Sequence, residues 1–182
     1  MAKKFLIWGG IFVTIFLLFF VVLIGGGHKS SSHEYKNGYM TGKMSPEEYE
    51  KLKDLVTGDT LGDRMMSLAG KITYESTDGT NCMRTVSICI DKNDPRYDWL
   101  GNGDVVYVPT AIELAKDKGF YEDFSDFGHL EQGDILVWGD GHVGVVGPNG
   151  TLIQNGSSHN TVYEASIDWN GTPSGVIKGH KV

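Results

Sequence analysis

The sequence predicts an α+β domain in which N-terminal helices pack on an antiparallel sheet, preceded by one transmembrane helix. Three observations carry this. Residues 5–24, FLIWGGIFVTIFLLFFVVLI, contain no charged side chain. The middle of the chain holds apolar residues at helical spacing behind helix-start residues. From Gly133 onward, short apolar runs alternate with Gly, Pro and Asn turns, the pattern of a meander.

At about 1.5 Å per residue, a helix over the first segment is about 30 Å long, enough to cross a bilayer core. Lys3 and Lys4 precede it, and the next charge is Lys29. A basic start keeps the N-terminus in the cytoplasm and exports the rest. The run is longer than a signal-peptide core and lacks an A-x-A-like site, so residues 1–25 read as an uncleaved single-pass anchor. A cleaved signal peptide, giving a secreted product, is the alternative. Residues 26–44 read as a flexible linker rich in Gly, Ser, Lys and His. His28 and His33 belong to that linker rather than to a metal site. Residues 45–182 form the folded domain.

The chain of 182 residues has 16 basic and 23 acidic side chains, a net charge of −7. Without Lys3 and Lys4 the exported part has 14 against 23, so nucleic acid is an unsuitable partner. Two cysteines do not make a disulfide scaffold.

Ser45-Pro46-Glu47-Glu48 opens a first helix as N-cap, N1 and capping box, with Tyr49, Leu52, Leu55 and Val56 as its apolar stripe. A second helix covers residues 62–69 and stops at Gly70, with Met65 and Met66 as packing. Over residues 82–90, Cys82, Val86 and Cys89 share one helical face. On a helix the two cysteines lie about 10 Å apart, beyond the roughly 7 Å a disulfide allows, so both thiols stay free. Residues 105–108 look strand-like, and Pro109 begins a helix that Gly119 ends. The stretch 94–104 with Trp99 reads as a groove lining or an acidic loop. Glu122, Asp123 and Asp126, with Phe124 and Phe127 between them, read as a surface loop without calcium-site spacing. Strands follow at 135–138, 142–146, 151–155, 161–165 and 175–182, with a turn at Gly147-Pro148-Asn149-Gly150.

Cys82 is the candidate nucleophile, because a thiol at a helix N-terminus is shifted toward thiolate. His142, at the start of a glycine-flanked strand, is the candidate base, and a base needs a third group to orient it. If Pro148 and Asn149 centre the turn, Val146 faces Thr151 and His142 faces Asn155. Asn155 is then the orienting residue, and a turn one residue longer or shorter flips the face and favours Gln154 instead. His159 reads as a turn residue.

At this point the chain, from Met65 to its end, resembles an NlpC-type papain-like cysteine peptidase of the bacterial cell wall. Leu68-Ala69-Gly70-Lys71 followed by Tyr74 resembles that family's lead-in. Gly79-Thr80-Asn81-Cys82 resembles its nucleophile loop. Leu130-Glu131-Gln132-Gly133-Asp134-Ile135-Leu136-Val137-Trp138 and Gly141-His142-Val143-Gly144-Val145-Val146 resemble its two signature strands. The chain departs from the family in reading Asn81-Cys82-Met83-Arg84 for Asp-Cys-Ser-Gly, and Gln132 for Pro. Twelve residues after His142, where the family often has a second His, it has Gln154.

The resemblance implies a papain-like fold, a peptidoglycan peptide as substrate, and amide hydrolysis by Cys82, His142 and Asn155. It further implies an oxyanion site at the Cys82 amide and the Tyr74 hydroxyl, and no metal or cofactor. The alternatives are a related thiol acyltransferase or other amide or ester hydrolase, and an inactive wall-binding domain tethered to the membrane.

Overall fold

The computed structural model describes residues 33–36, 39–42, 51–71, 81–90, 94–100, 105–156 and 161–182. The expected membrane segment, the helix start at Ser45, Tyr74 and His159 lie outside the described residues. Among the described residues, no helix is long and apolar enough to cross a membrane.

Two short strands, β1 (His33–Lys36) and β2 (Tyr39–Gly42), pair antiparallel with Lys36 opposite Tyr39. They fall in the stretch expected as flexible linker, which is therefore not featureless. Asn37-Gly38, the two residues between the strands, is the dipeptide that favours a tight hairpin, a signal the composition argument passes over.

Residues 51–53 are helical, and three further helices follow among the described residues: α1 (Leu61–Ser67), α2 (Asn81–Ile90) and α3 (Val108–Lys118). Six strands come next: β3 (Tyr121–Asp123), β4 (Ile135–Trp138), β5 (His142–Val146), β6 (Leu152–Asn155), β7 (Val162–Ala165) and β8 (Gly175–Ile177). They form one sheet in the order β3-β8-β4-β5-β6-β7, every neighbouring pair antiparallel. The α+β class, with helices ahead of an antiparallel meander, is as the sequence predicts. Two local expectations change. Residues 105–107 are not a strand, and Val108 already belongs to α3. Tyr121–Asp123, expected as loop, is an edge strand held by β8.

α1 begins with a capping box. The Asp63 amide donates to Thr60 Oγ1 at 3.1 Å and the Thr60 amide to Asp63 Oδ2 at 3.2 Å. Gln132, at the position where the resemblance has Pro, ties into that cap. Its Nε2 donates to Thr60 Oγ1 at 2.8 Å and to Asp63 Oδ1 at 2.9 Å. The amide thus fastens the loop before β4 to the start of α1, a link proline could not make. Gly62 completes the joint. A Cβ there would stand 2.6 Å from the Val146 carbonyl oxygen, so glycine lets α1 touch the end of β5.

The alternation along the strands divides the core. Ile135, Val137, Val143, Val145, Ile153, Val162 and Ile177 pack toward the helices. Leu136, Val146, Leu152 and Val176 point to the other face, under Phe124, Leu130, Trp138 and Ile167. Every residue of α2 is buried, its polar ones included, which a one-sided apolar stripe does not foretell.

Candidate active site

Cys82 is the second residue of α2, in the first turn, as the sequence predicts. Amide groups there have no intrahelical acceptor. The backbone amides of Val143 on β5, of Met83 and of Cys82 itself lie near the sulfur and favour its thiolate. The nucleophile candidate thus lies beside the residue that follows His142. The expectation of a depressed thiol pKa is corrected, however. Cys82 is only 4% exposed, and burial raises its pKa above the usual 9.0 despite the three amides that pull it down. Cys89, two turns deeper, is fully buried and pushed up to about 12. Both cysteines are free, as the helical spacing requires.

His142 is the first residue of β5. By alternation its side chain belongs to the sheet face opposite the helices, whereas Cys82 lies on the helix side, so β5 brings both residues near its end but no hydrogen bond joins them among the described residues. Burial lowers its pKa below the usual 6.5, partly offset by a hydrogen bond to Gln154. His142 Nε2 and Gln154 Oε1 are 2.6 Å apart, and Gln154 is completely buried. An amide oxygen only accepts, so this contact places a hydrogen on Nε2 and leaves Nδ1 as the ring's acceptor. The Trp138 ring, opposite His142 on β4, lies 5.7 Å from the imidazole, centroid to centroid.

The expected pairing of His142 with Asn155 is not found. Val145 faces Ile153 and Val146 faces Leu152, so the turn holds one residue more than the sequence argument assumes. The Gly147 amide closes it on the Thr151 carbonyl at 2.8 Å. A one-residue slip exchanges the faces of the whole strand. Gln154 therefore comes to the side of His142, and Asn155 turns toward the helices. There Asn155 Nδ2 donates to Thr85 Oγ1 at 2.8 Å, and Thr85 Oγ1 donates to the Asn81 carbonyl at 2.7 Å. Asn155 thus braces the turn of α2 that carries Cys82, rather than the imidazole.

Gly144 makes the close approach possible. A Cβ on it would be 2.5 Å from Leu152 Cδ1 and 3.3 Å from Gln154 Cβ. Within the strand that the sequence predicts, this glycine clears the space across which β6 delivers Gln154. Asn170 gives no signal in the sequence. Its Nδ2 donates to Gln154 Oε1 at 2.6 Å from the loop after β7. No periodicity links a loop amide to a strand 16 residues earlier, and Asp168-Trp169-Asn170-Gly171 reads only as a turn.

No protein-family model, curated protein or solved structure matches this chain. The geometry and the chemistry of these side chains therefore carry the functional argument.

Proposed function

We propose that the chain is a papain-like cysteine hydrolase of the NlpC type that cleaves an amide bond in peptidoglycan, as a stem-peptide endopeptidase or a muramoyl-peptide amidase. One observation carries this reading: a cysteine in the first turn of a buried helix lies against β5, the strand that begins with a histidine, and that histidine is itself held by a buried amide oxygen. Nucleophile, base and orienting group are what thiol-based acyl transfer requires. The orienting group in this reading is Gln154 rather than Asn155.

Both partners are neutral at rest, since burial disfavours thiolate and imidazolium alike. Proton transfer therefore accompanies attack. For the Cys82 proton to pass to His142 Nδ1 as the sulfur–carbon bond forms, the imidazole has to reach round the end of β5 to the helix side. The Cys82 backbone N–H takes the developing oxyanion. Imidazolium then gives its proton to the leaving nitrogen as the carbon–nitrogen bond breaks. Water, deprotonated by His142, cleaves the thioester, and the thiol is restored. Residues 5–24 hold the domain outside the cytoplasm, within reach of wall strands close to the membrane.

The test is mass spectrometry of purified wall fragments incubated with the full-length chain in mild detergent. The expected result is a pair of products whose masses sum to the substrate plus one water. Fragments that remain unchanged would overturn the reading.

The neutral resting pair also sets the pH dependence. Activity requires unprotonated His142, so the acid limb of kcat/KM lies below the usual imidazole value of 6.5. The alkaline limb, from loss of the Cys82 proton, lies above 9.0. A profile with its acid limb above neutrality would contradict this assignment.

A further inference from the structure

We propose that Asn170 is a positioning residue: by donating to Gln154 Oε1 it sets which end of that amide meets His142, and so fixes the imidazole proton on Nε2. The inference rests on the reading of Cys82 and His142 as nucleophile and base.

Two donors converge on one oxygen. Asn170 Nδ2 and His142 Nε2 each lie 2.6 Å from Gln154 Oε1. The other end of the same amide, Nε2, is buried and meets no acceptor among the described residues. Left to itself, a buried amide with an orphan NH2 group would turn to satisfy it. Turning it here would set its NH2 against the Asn170 NH2, donor against donor. The donor on Asn170 therefore holds the oxygen toward His142, which must answer with N–H. Nδ1 is then the free acceptor that a base for the thiol needs.

The loop that carries Asn170 is itself fastened. The Trp169 amide donates to the Ser166 carbonyl at 3.0 Å, and the Gly171 amide to the Asp168 carbonyl at 2.8 Å. Trp138 Nε1 donates to the Gly171 carbonyl at 3.2 Å. Two adjacent loop residues, Asn170 and Gly171, thus hold the two side chains beside the imidazole, Gln154 and Trp138.

The decisive experiment reads the tautomer of His142 by nitrogen-15 NMR of the histidine-labelled full-length chain, assigned by the signal missing from His142→Gln. The wild type is expected to show Nε2–H. Asn170→Asp preserves shape but offers only acceptors. Gln154 should then turn its NH2 toward both neighbours and drive the imidazole to Nδ1–H. Hydrolysis should fall by roughly 10³- to 10⁴-fold in kcat, the scale of a wrong tautomer in a nucleophile–histidine pair. Asn170→Ala removes the donor without replacing it. It should give a mixture of tautomers with about a tenfold loss.

Retention of Nε2–H in both variants would overturn the proposal, and if Asn170→Asp does not fold, retention in Asn170→Ala alone does so. The spectrum needs no turnover. A wild type without hydrolysis would sink the functional reading and still leave the role of Asn170 decided.

Discussion

Replacing Cys82 or His142 by alanine should abolish hydrolysis of wall fragments, each alone lowering kcat by on the order of 10⁴- to 10⁶-fold, with the double variant no worse than either single one. Nucleophile and base act as a unit, so removing one leaves the other nothing to do. The neighbouring pair on β6 separates two kinds of contribution. Gln154→Ala should cost activity by about 10- to 100-fold, because the imidazole loses the oxygen that orients it 2.6 Å away. Asn155→Ala should leave kcat nearly intact and lower stability by about 1–3 kcal/mol, because Thr85 loses a buried partner on α2. Activity assays beside urea unfolding of the four variants distinguish these outcomes. If Asn155→Ala silences the enzyme and Gln154→Ala does not, the pairing of β5 with β6 is not the one that governs catalysis.

The same two residues show how far a sequence can be read. The strands on either side of the 147–151 turn are legible from their glycine punctuation, and Cys82 is legible as a helix start. What decides between Gln154 and Asn155 is a single residue of turn length. Gly, Pro, Asn and Gly accommodate several turn geometries, so composition does not settle the count. The Cys82 pKa is illegible in the sequence for a different reason. A helix start lowers a thiol pKa, but here burial against β5 outweighs it, and burial is a tertiary quantity. Asp94 was equally opaque. It stood in a stretch read as a groove or an acidic loop, yet it lies inside the protein between two arginines.

Asp94→Asn should destabilise the domain by about 3–5 kcal/mol, the scale for orphaning a buried ion. Arg64 Nη2 lies 2.7 Å from Asp94 Oδ2, with side-chain exposures of 4% and 3%. Arg96 adds Nη2 to Oδ2 at 2.9 Å and Nε to Oδ1 at 3.0 Å. Without the carboxylate, Arg64 keeps a charge in the interior with the Asp59 carbonyl, 3.2 Å from Nη1, as its remaining acceptor among the described residues. Arg64→Met combined with Asp94→Leu should recover part of the loss, since no charge is then stranded.

The pH dependence carries a sign. Burial alone would raise the Asp94 pKa, but the hydrogen bonds from Arg96 and the charges of Arg96 and Arg64 outweigh it and hold it below 3.8. The carboxylate therefore contributes stability above about that pH, and the contribution is lost as pH falls through the depressed value. Chemical unfolding followed down to that range should show the wild type losing this share and Asp94→Asn having none to lose. An unfolding midpoint in Asp94→Asn equal to wild type at neutral pH would refute the assignment.

All ten residues of α2 are out of water, and the strands that enclose it belong to the centre of the sheet. A helix so enclosed has no partial opening of its own: its amides are freed together with the domain, on the slowest timescale the fold possesses. Cys82, only 4% exposed on that helix, is sheltered from the oxidants that consume surface thiols. In the proposed role of nucleophile, Cys82 cannot be withdrawn and restored by a small rearrangement. Restraint on its chemistry has to be exercised on the way in, by whatever governs the approach of a carbonyl to the end of β5.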